Sequence, residues 1–521
     1  MSQPQNPSGD SSGDSSGDSS GEPDPSPVGD DRRGLGRAIG LTALGTLLPG
    51  AGLTQTRQRR LGWALLVLAL VLGAFVAWRV ASSGATKTAL SLAAEPDTLR
   101  GIAIVAVAGG AVWCASIILT AVLTRPTGPR RGPTVVLAVV AALLVLTVGA
   151  GSFKAAQYAT ITRDTVNEVF KPTLPTPGVS APGPVVVEGD DPWADTPRVN
   201  ILLLGSDAGV GRTGTRTDSM IVASIDTKSG RTALISLPRN LERAPLPKKS
   251  PLRALYPSGF YGRPTCFSGQ DQCLLNAIWT EADQFHANHP ESYPGVASPG
   301  RGEVRDVISE VTGLRIDNTV VIDLKGFQQL VDAMGGVEVN VKVSGYGAKL
   351  PIGGHVDEAT GLLRGVTGYF EPGRQHLDGY HALWYARTRA GDDDFFRQDR
   401  QRCVVKALVR QVNPTSMLAR YPELARIAKD NIFTDIPAEH LSAFVDLIER
   451  VKDAPITSIA LSPSTGIVSA NPDYNLIRKL VRKGINPPKS TPTTTTPAGS
   501  SARTQTPTPS PSPTSTPYAD C

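Results

Sequence analysis

Cysteine is scarce in this chain: five residues in 521. That excludes a small scaffold stapled by disulfides. Six histidines are present, and their spacing builds no metal or nucleophile site. His376 and His381 lie five apart beside Tyr380, a poor spacing for ligands on one helix. His286 and His289 lie three apart, with no Glu-x-x-His pattern and no third ligand nearby. Structural or surface roles are expected for all four. No Ser-His-Asp or Cys-His arrangement stands out. Charged residues are 19% of the chain, below the usual ~25%. The formal net charge is +5, too mild an excess to argue for nucleic acid. Basic residues are also missing from the start of the chain, where none precedes Arg32. A cleavable secretory signal, basic at its start and then apolar, is therefore excluded. The overall composition excludes collagen, a coiled coil and full disorder.

What is present divides the chain into unlike parts. Residues 1–37 read as a disordered acidic tail, with a repeated Ser-Ser-Gly-Asp unit and almost nothing apolar to bury. Residues 38–151 read as a membrane region. Three apolar runs, with spans placed at about 62–80, 101–123 and 133–151, approach the ~17–25 residues needed to cross hydrocarbon. A weaker run at 38–53 is interrupted by Pro49. Arg32, Arg33 and Arg37 precede it, and Arg57, Arg59 and Arg60 follow it. Both of its flanks therefore read as cytoplasmic, and the run is expected to re-enter or to lie in the interface. Arg125, Arg130 and Arg131 place the loop between the second and third strong runs inside as well. Three crossings then leave everything after about residue 151 outside a multi-pass membrane protein. Residues 152–195 read as a linker, 196–485 as a folded domain, and 486–521 as a disordered Thr/Pro/Ser-rich tail.

In the folded part, short apolar runs at 199–204, 220–225, 232–237 and 319–324 suggest strands, and 337–343 alternates. Helical patterns occupy 274–288, 301–312, 324–334, 397–412 and 438–452. This interleaving predicts an α/β domain with a central mixed β-sheet flanked by helices. Polar residues at the strand ends carry the functional signal. The first strand runs into Asp207, Arg216-Thr217-Asp218 precedes the second, and the third runs into Arg239-Asn240. Sites in open α/β sheets lie at strand ends. Taken singly, each of these residues is more often a cap or a surface charge. Together, Asp207 and Asp218 offer the hard oxygen ligands that suit Mg²⁺ alongside phosphate. Arg216 and Arg239 offer forks for phosphate oxygens.

A denser cluster follows. Tyr385, Arg387 and Arg389 precede Asp394, Arg397, Arg400, Gln401 and Arg402. Arg387 and Arg389 are two apart, so in an extended stretch they point the same way. Arg397 and Gln401 share a helix face, while Arg402 reads as part of a solvated basic helix. Several arginines on a scaffold tied to a core imply a polyanion. With a metal site nearby, a phosphate or pyrophosphate ester is the sharpest reading.

These residues resemble the LytR-CpsA-Psr family of cell-wall glycopolymer ligases. The resemblance rests on NILLLGSD at 200–207, RTDSM at 216–220, SLPRN at 236–240 and LLNAIW at 274–279. It continues with DAMGGVEVNV at 332–341, PGRQHLDGYHALWYARTR at 372–389 and DFFRQDRQ at 394–401. It implies a hydrophobic cavity for a polyprenyl chain and a polyprenyl-pyrophosphate-linked glycan as donor. It also implies a peptidoglycan hydroxyl as acceptor, Mg²⁺ as cofactor and pyrophosphatase-like activity. By motif position, Asp207 and Asp218 would hold the metal. Arg239, Arg387, Arg389, Asp394, Arg397 and Gln401 would form the catalytic set. Arg216, Asn276, Tyr385 and Arg400 would bind substrate. Where many members have Pro-Arg-Asp, this chain has Asn240, which is neither a base nor a charged ligand. Most members have one span, so three is a departure. The excess of Arg over Lys, with abundant Ala, Gly and Pro, suits a GC-rich actinobacterial source, where arabinogalactan or a teichoic-acid-like polymer would be the cargo.

The competing reading is a non-catalytic envelope protein that binds a lipid-linked or wall glycan. A membrane-bound transcription regulator is a poor fit, because the cytoplasmic parts contain no helix-turn-helix pattern. Among the cysteines, both a Cys273–Cys403 bridge across two walls of the site and a local Cys266–Cys273 bridge remain open.

Overall fold

The computed structural model describes residues 28–83, 88, 92, 96–126, 131–169, 183–187, 191–207, 216–262, 273–296, 298–344, 347–357, 360–389, 393–411 and 420–486. The acidic tail before residue 28 and the tail after residue 486 lie outside them. The chain divides into two compact units, one built mainly on the apolar helices and one on the folded domain.

The first unit holds α1 (Val28–Leu47) and most of α2 (Arg59–Ser83), α3 (Pro96–Leu123) and α4 (Gly132–Val169). Three stretches are long and apolar enough to cross a membrane: Arg59–Ser82, Asp97–Leu123 and Gly132–Val169. They coincide with the three expected runs, and the weak run is not among them. That run lies mostly in α1, which begins within the stretch read as a tail. Trp113 Nε1 on α3 donates to the Gly45 carbonyl at 2.9 Å. Ala38 packs with Ala121, Leu137 and Ala141. Small residues at such contacts let helix backbones approach closely. The expected linker is a different case, because α4 continues through its first part as far as Val169. An uninterrupted run of helix-compatible residues carries the helix past the apolar stretch.

The domain centres on six strands in the order β10-β3-β2-β1-β4-β9. These are β1 (Arg198–Ser206), β2 (Thr217–Asp226), β3 (Thr232–Ser236), β4 (Asn318–Asp323), β9 (Ile432–Thr434) and β10 (Ile456–Ala460). The sheet is mixed: β1 runs parallel to β4 and antiparallel to β2, and β3 runs parallel to β10. Alternation along β1 sends its side chains to two separate cores. On one face, Leu202 and Leu204 pack with α5 (Ile278–Asn288), α6 (Pro299–Thr312) and α12 (Tyr474–Ile485). Helix α6 contributes Val304, Val307, Ile308 and Val311, the spacing of one helical stripe. On the other face, Val199, Ile201 and Leu203 pack with α11 (Leu441–Asp453) and with Val405 and Val409 of α9 (Asp394–Gln411). Each fully buried Leu or Val contributes roughly 1.5–3 kcal/mol.

A third core joins α7 (Leu324–Met334), β5 (Val337–Val341), β8 (Gly373–Leu377), α8 (Gly379–Arg387) and α9. Beside it, β6 (Pro351–Val356) and β7 (Leu363–Tyr369) form a two-stranded ribbon. Helix α10 (Tyr421–Asn431) precedes β9. Two expectations are corrected here, and one of the two open cysteine pairings is ruled out. Arg387 closes a helix rather than lying in an extended stretch. Arg402 is buried and paired with Asp399 rather than solvated, and burial pushes its guanidinium down to about 10. Cys273 is disulfide-bonded and Cys403 is not. The Cys273–Cys403 bridge is therefore not formed, and Cys266 lies outside the described residues.

The close packing of α8 on α7 depends on Gly379. Its N–H donates to Asp332 Oδ1 at 2.6 Å. A Cβ at this position would stand 2.0 Å from the Gln328 carbonyl oxygen. Gly379→Ala is expected to destabilise the domain by about 1–3 kcal/mol, the usual cost of overpacking. Denaturant unfolding would show this as a lowered midpoint, and an unchanged midpoint would contradict this packing.

Candidate active site

The strand ends build the first wall. The β1–β2 register pairs Gly205 with Ser219 and then Ser206 with Thr217. Asp218 is therefore the extra residue of a β-bulge, a device that re-aims a side chain. One residue further out, the Asp207 N–H donates to the Arg216 carbonyl at 3.1 Å, and the Arg216 N–H donates to Asp207 Oδ1 at 2.9 Å. This pair closes the neck of the loop whose residues 208–215 lie outside the described set. Arg239 follows β3 and donates from Nη1 to Asp218 Oδ1 at 2.6 Å. Its carbonyl accepts from the Asn276 N–H at 3.1 Å, so the buried Asn276 fixes the backbone of Arg239.

Helices α8 and α9 build the second wall. Asp393 Oδ1 accepts from the N–H groups of Phe395 and Phe396, capping the start of α9. Asp394 Oδ1 accepts from Arg397 Nε at 3.0 Å and Nη2 at 2.6 Å, and its Oδ2 accepts from Gln398 Nε2 at 2.9 Å. The third Arg397 nitrogen, Nη1, donates to the Asp218 backbone carbonyl at 3.0 Å. The two walls are thus pinned together through a guanidinium that is 5% exposed. Burial pushes the Arg397 pKa down, and the neighbouring Asp394 carboxylate is the main influence holding it up.

The last carbonyls of a helix lack intrahelical partners. Here Arg400 donates from Nε to the Tyr385 carbonyl at 2.8 Å and also to the Thr388 carbonyl, and Gln401 donates to the Ala386 carbonyl at 3.2 Å. Cationic and amide donors at this end complete α8 and hold the segment that carries Arg387 and Arg389. Tyr385 itself is buried, edge-on to Phe370 with ring centroids 5.6 Å apart. Arg387 lies over the Trp384 ring at 5.8 Å.

Two clefts meet at these walls. The polar one, about 510 Å³, is lined by Arg239, Arg387, Arg389 and Arg397 with Asp218, Asp393 and Asp394. The other, about 260 Å³, is apolar and lies between the sheet and helices α7, α8 and α9. Leu203, Ile221, Val320, Phe327, Leu383 and Leu408 are among its walls. Asp218, Arg387 and Arg397 line both.

Of the residues read from the sequence, Asp218, Arg239, Arg387, Arg389, Asp394 and Arg397 come together in the polar cleft. Gln401 lines the apolar one. Asp207, Arg216, Asn276, Tyr385 and Arg400 line neither; Asn276 and Arg400 bond to residues that do, Tyr385 adjoins Trp384, and Asp207 and Arg216 bond to each other. Sequence reasoning missed Trp384, Thr388 and Asp393, and also the Gly353-Gly354-His355 stretch and Leu363 of the ribbon. Trp384 and Asp393 were readable as neighbours of the arginines. The ribbon carries no motif. Among the described residues, no group of three or more His, Cys, Asp or Glu side chains gathers to hold a metal.

The LytR_cpsA_psr family matches residues 154–483. The polyisoprenyl-teichoic acid–peptidoglycan teichoic acid transferase TagV of Bacillus subtilis is 24% identical over 53% of this chain and 59% of its own length. A TagU of the same description from Enterococcus faecalis is 27% identical over 46% of this chain and 61% of its own length. The chain thus spans about three fifths of these relatives. A crystal structure of B. subtilis TagV covers 55% of this chain and 95% of its own, at 21% identity and a TM-score of 0.35.

The role of Asp394 as an anchor separates it from Arg389, which is exposed. Asp394→Asn removes the charge facing Arg397 and should cost about 2 kcal/mol, given ~1.5–3 for hydrogen bonds to charged groups. Arg389→Ala should stay within ~0.5 kcal/mol of the parent. Chemical denaturation of the two variants side by side tests the distinction, and equal losses would contradict it.

Proposed function

The chain belongs to the LytR_cpsA_psr family, and from that premise we propose that it transfers a glycosyl phosphate to a peptidoglycan hydroxyl during cell wall assembly. The donor is a polyprenyl-pyrophosphate-linked glycopolymer, and the reaction depends on Mg²⁺. The observation that carries this reading is the sharing of Asp218, Arg387 and Arg397 between an arginine-rich cleft and an apolar one. Such a junction suits an amphiphile whose anionic head meets its hydrocarbon tail at one point. The relatives, named as teichoic acid transferases to peptidoglycan, support the same class. Three apolar helices precede most of the domain, and the basic loops at 57–60 and 125–131 favour the cytoplasmic side. In this reading the domain works on the outer face of the membrane.

The chemistry follows from the residues. Phosphoryl transfer needs positioning and charge neutralisation more than a covalent nucleophile. Arg387 and Arg389, held by the capped end of α8, can grip diphosphate oxygens bidentately. Arg239 and Arg397 are already oriented by Asp218 and Asp394, so little reorganisation is needed as charge shifts to the leaving phosphate. The apolar cleft excludes water from one side and receives the prenyl chain. The donor set also fits Mg²⁺: Asp207, just past the end of β1, and Asp218, at the bulge of β2, are hard oxygen ligands, and two carboxylates plus phosphate oxygens are a usual complement for this ion. Asp207 and Asp218 would hold it. When bound, it neutralises diphosphate charge. Water in place of the acceptor would give pyrophosphatase-like turnover.

The test is Mg²⁺-dependent release of polyprenyl phosphate by the purified chain from a lipid-diphosphate sugar. EDTA should abolish it. Arg387→Ala should lower kcat by about 10²–10³, the usual effect of losing one transition-state donor, and Asp218→Ala should abolish the Mg²⁺-dependent turnover, with both variants still folded. Tight binding of the lipid diphosphate without turnover, in the presence of Mg²⁺, would replace this reading with a glycan-binding envelope protein.

A further inference from the structure

Attack by a hydroxyl leaves one proton to be placed, and the carboxylates of the polar cleft are poorly suited to take it. Asp218 Oδ1 is held by Arg239. Both oxygens of Asp394 are held, by Arg397 and Gln398. Asp393 Oδ1 caps α9. Asn240 has no basic group. The remaining lining group with a basic ring nitrogen is the imidazole of His355, on strand β6.

The ribbon places it there. The β6–β7 register shifts between Ile352 and Gly353, and Gly353 and Gly354 both take left-handed backbone conformations, with φ of 75° and 90°. Side chains other than glycine rarely adopt this geometry. The shift and the two glycines twist the ribbon so that Gly353, Gly354, His355 and Leu363 border the cleft that holds the arginines. The imidazole packs over Gly365, where a Cβ would meet Nδ1 at 3.7 Å. Its register partner across the ribbon is Arg364, whose guanidinium pairs with Asp357 at 3.0 Å. Among the described residues no hydrogen bond or ion pair engages the His355 ring, which is exposed.

We propose that His355 is a catalytic residue on the acceptor side: the general base that receives the proton of the attacking hydroxyl. This rests on the transferase reading above. The hydroxyl oxygen forms a new bond to the glycan-bearing phosphorus. The bond from that phosphorus to the bridging oxygen breaks, and polyprenyl phosphate leaves with the electron pair. The hydroxyl proton passes to an imidazole nitrogen of His355 and then to solvent. The ribbon is thereby the wall where the acceptor enters, opposite the arginines that hold the donor.

The experiment uses the full chain in detergent with Mg²⁺, a polyprenyl-diphosphate-linked sugar and soluble peptidoglycan fragments, from pH 5 to 9. The charged groups that share the cleft with His355 are Asp218, Arg239, Arg387, Arg389, Asp393, Asp394 and Arg397, and its register partner Arg364 pairs with Asp357. Parent activity should rise with pH, as general-base catalysis requires. In His355→Gln, kcat for transfer should fall by about 10²-fold or more, in line with general-base contributions of 10²–10⁴. The rise should vanish, and KM for the donor should change less than ~2-fold. Free imidazole should restore part of the rate of His355→Ala. A His355→Gln protein with parental kcat and pH profile overturns the assignment, as does one that loses donor affinity instead of kcat. Failure of the parent chain to transfer at all is a different result, which overturns the transferase reading and this assignment with it.

Discussion

Arg397 spends all three guanidinium nitrogens on holding the molecule together. Two go to Asp394, one turn back on its own helix, and one reaches the backbone carbonyl of Asp218 at the bulge of β2. The group is almost wholly buried, and a charge taken out of water is costly unless it is paired and hydrogen-bonded. Both conditions are met here. The bulge, the start of α9 and the orientation of Arg239 thus depend on one another. Moving any of them leaves a buried charge without its partner.

The same logic explains why so many arginines can crowd one cleft. Each is either neutralised locally or held by the scaffold. Arg239 leans on Asp218, Arg397 leans on Asp394, and Arg400 is used up by the end of α8. Arg387 and Arg389 line the open volume. Division of labour among identical side chains is set by which carbonyls and carboxylates lie within reach, and sequence spacing alone does not reveal it.

That division marks the limit of what was legible in advance. The central strands and most helices were readable because their apolar periodicities are strong, as in α7, where the expected span matches the observed one. The polar cleft was readable because its residues sit at strand ends or beside one another in sequence. The roles of Arg400 and Asn276 were less legible, since they act through backbone groups of other elements. Arg402 looked solvated because a run of charges on a helix usually is, yet its face turns inward. The ribbon escaped notice because glycine-rich strands with exposed side chains leave no periodic trace. His355 was hidden with it.

The sheet order has a further consequence, for the birth of the domain. Its four inner strands, β1 to β4, are all made before residue 324, while both outer strands, β9 and β10, come from after residue 431. Synthesis therefore delivers a four-stranded centre whose two rims stay open until the last hundred or so residues arrive. Those rims are closed by pairings far apart in sequence, which form slowly because long loops must be drawn together first. A nascent chain of this family member carries exposed strand edges through most of its emergence, and the short C-terminal strands act as the clasps that end that exposure.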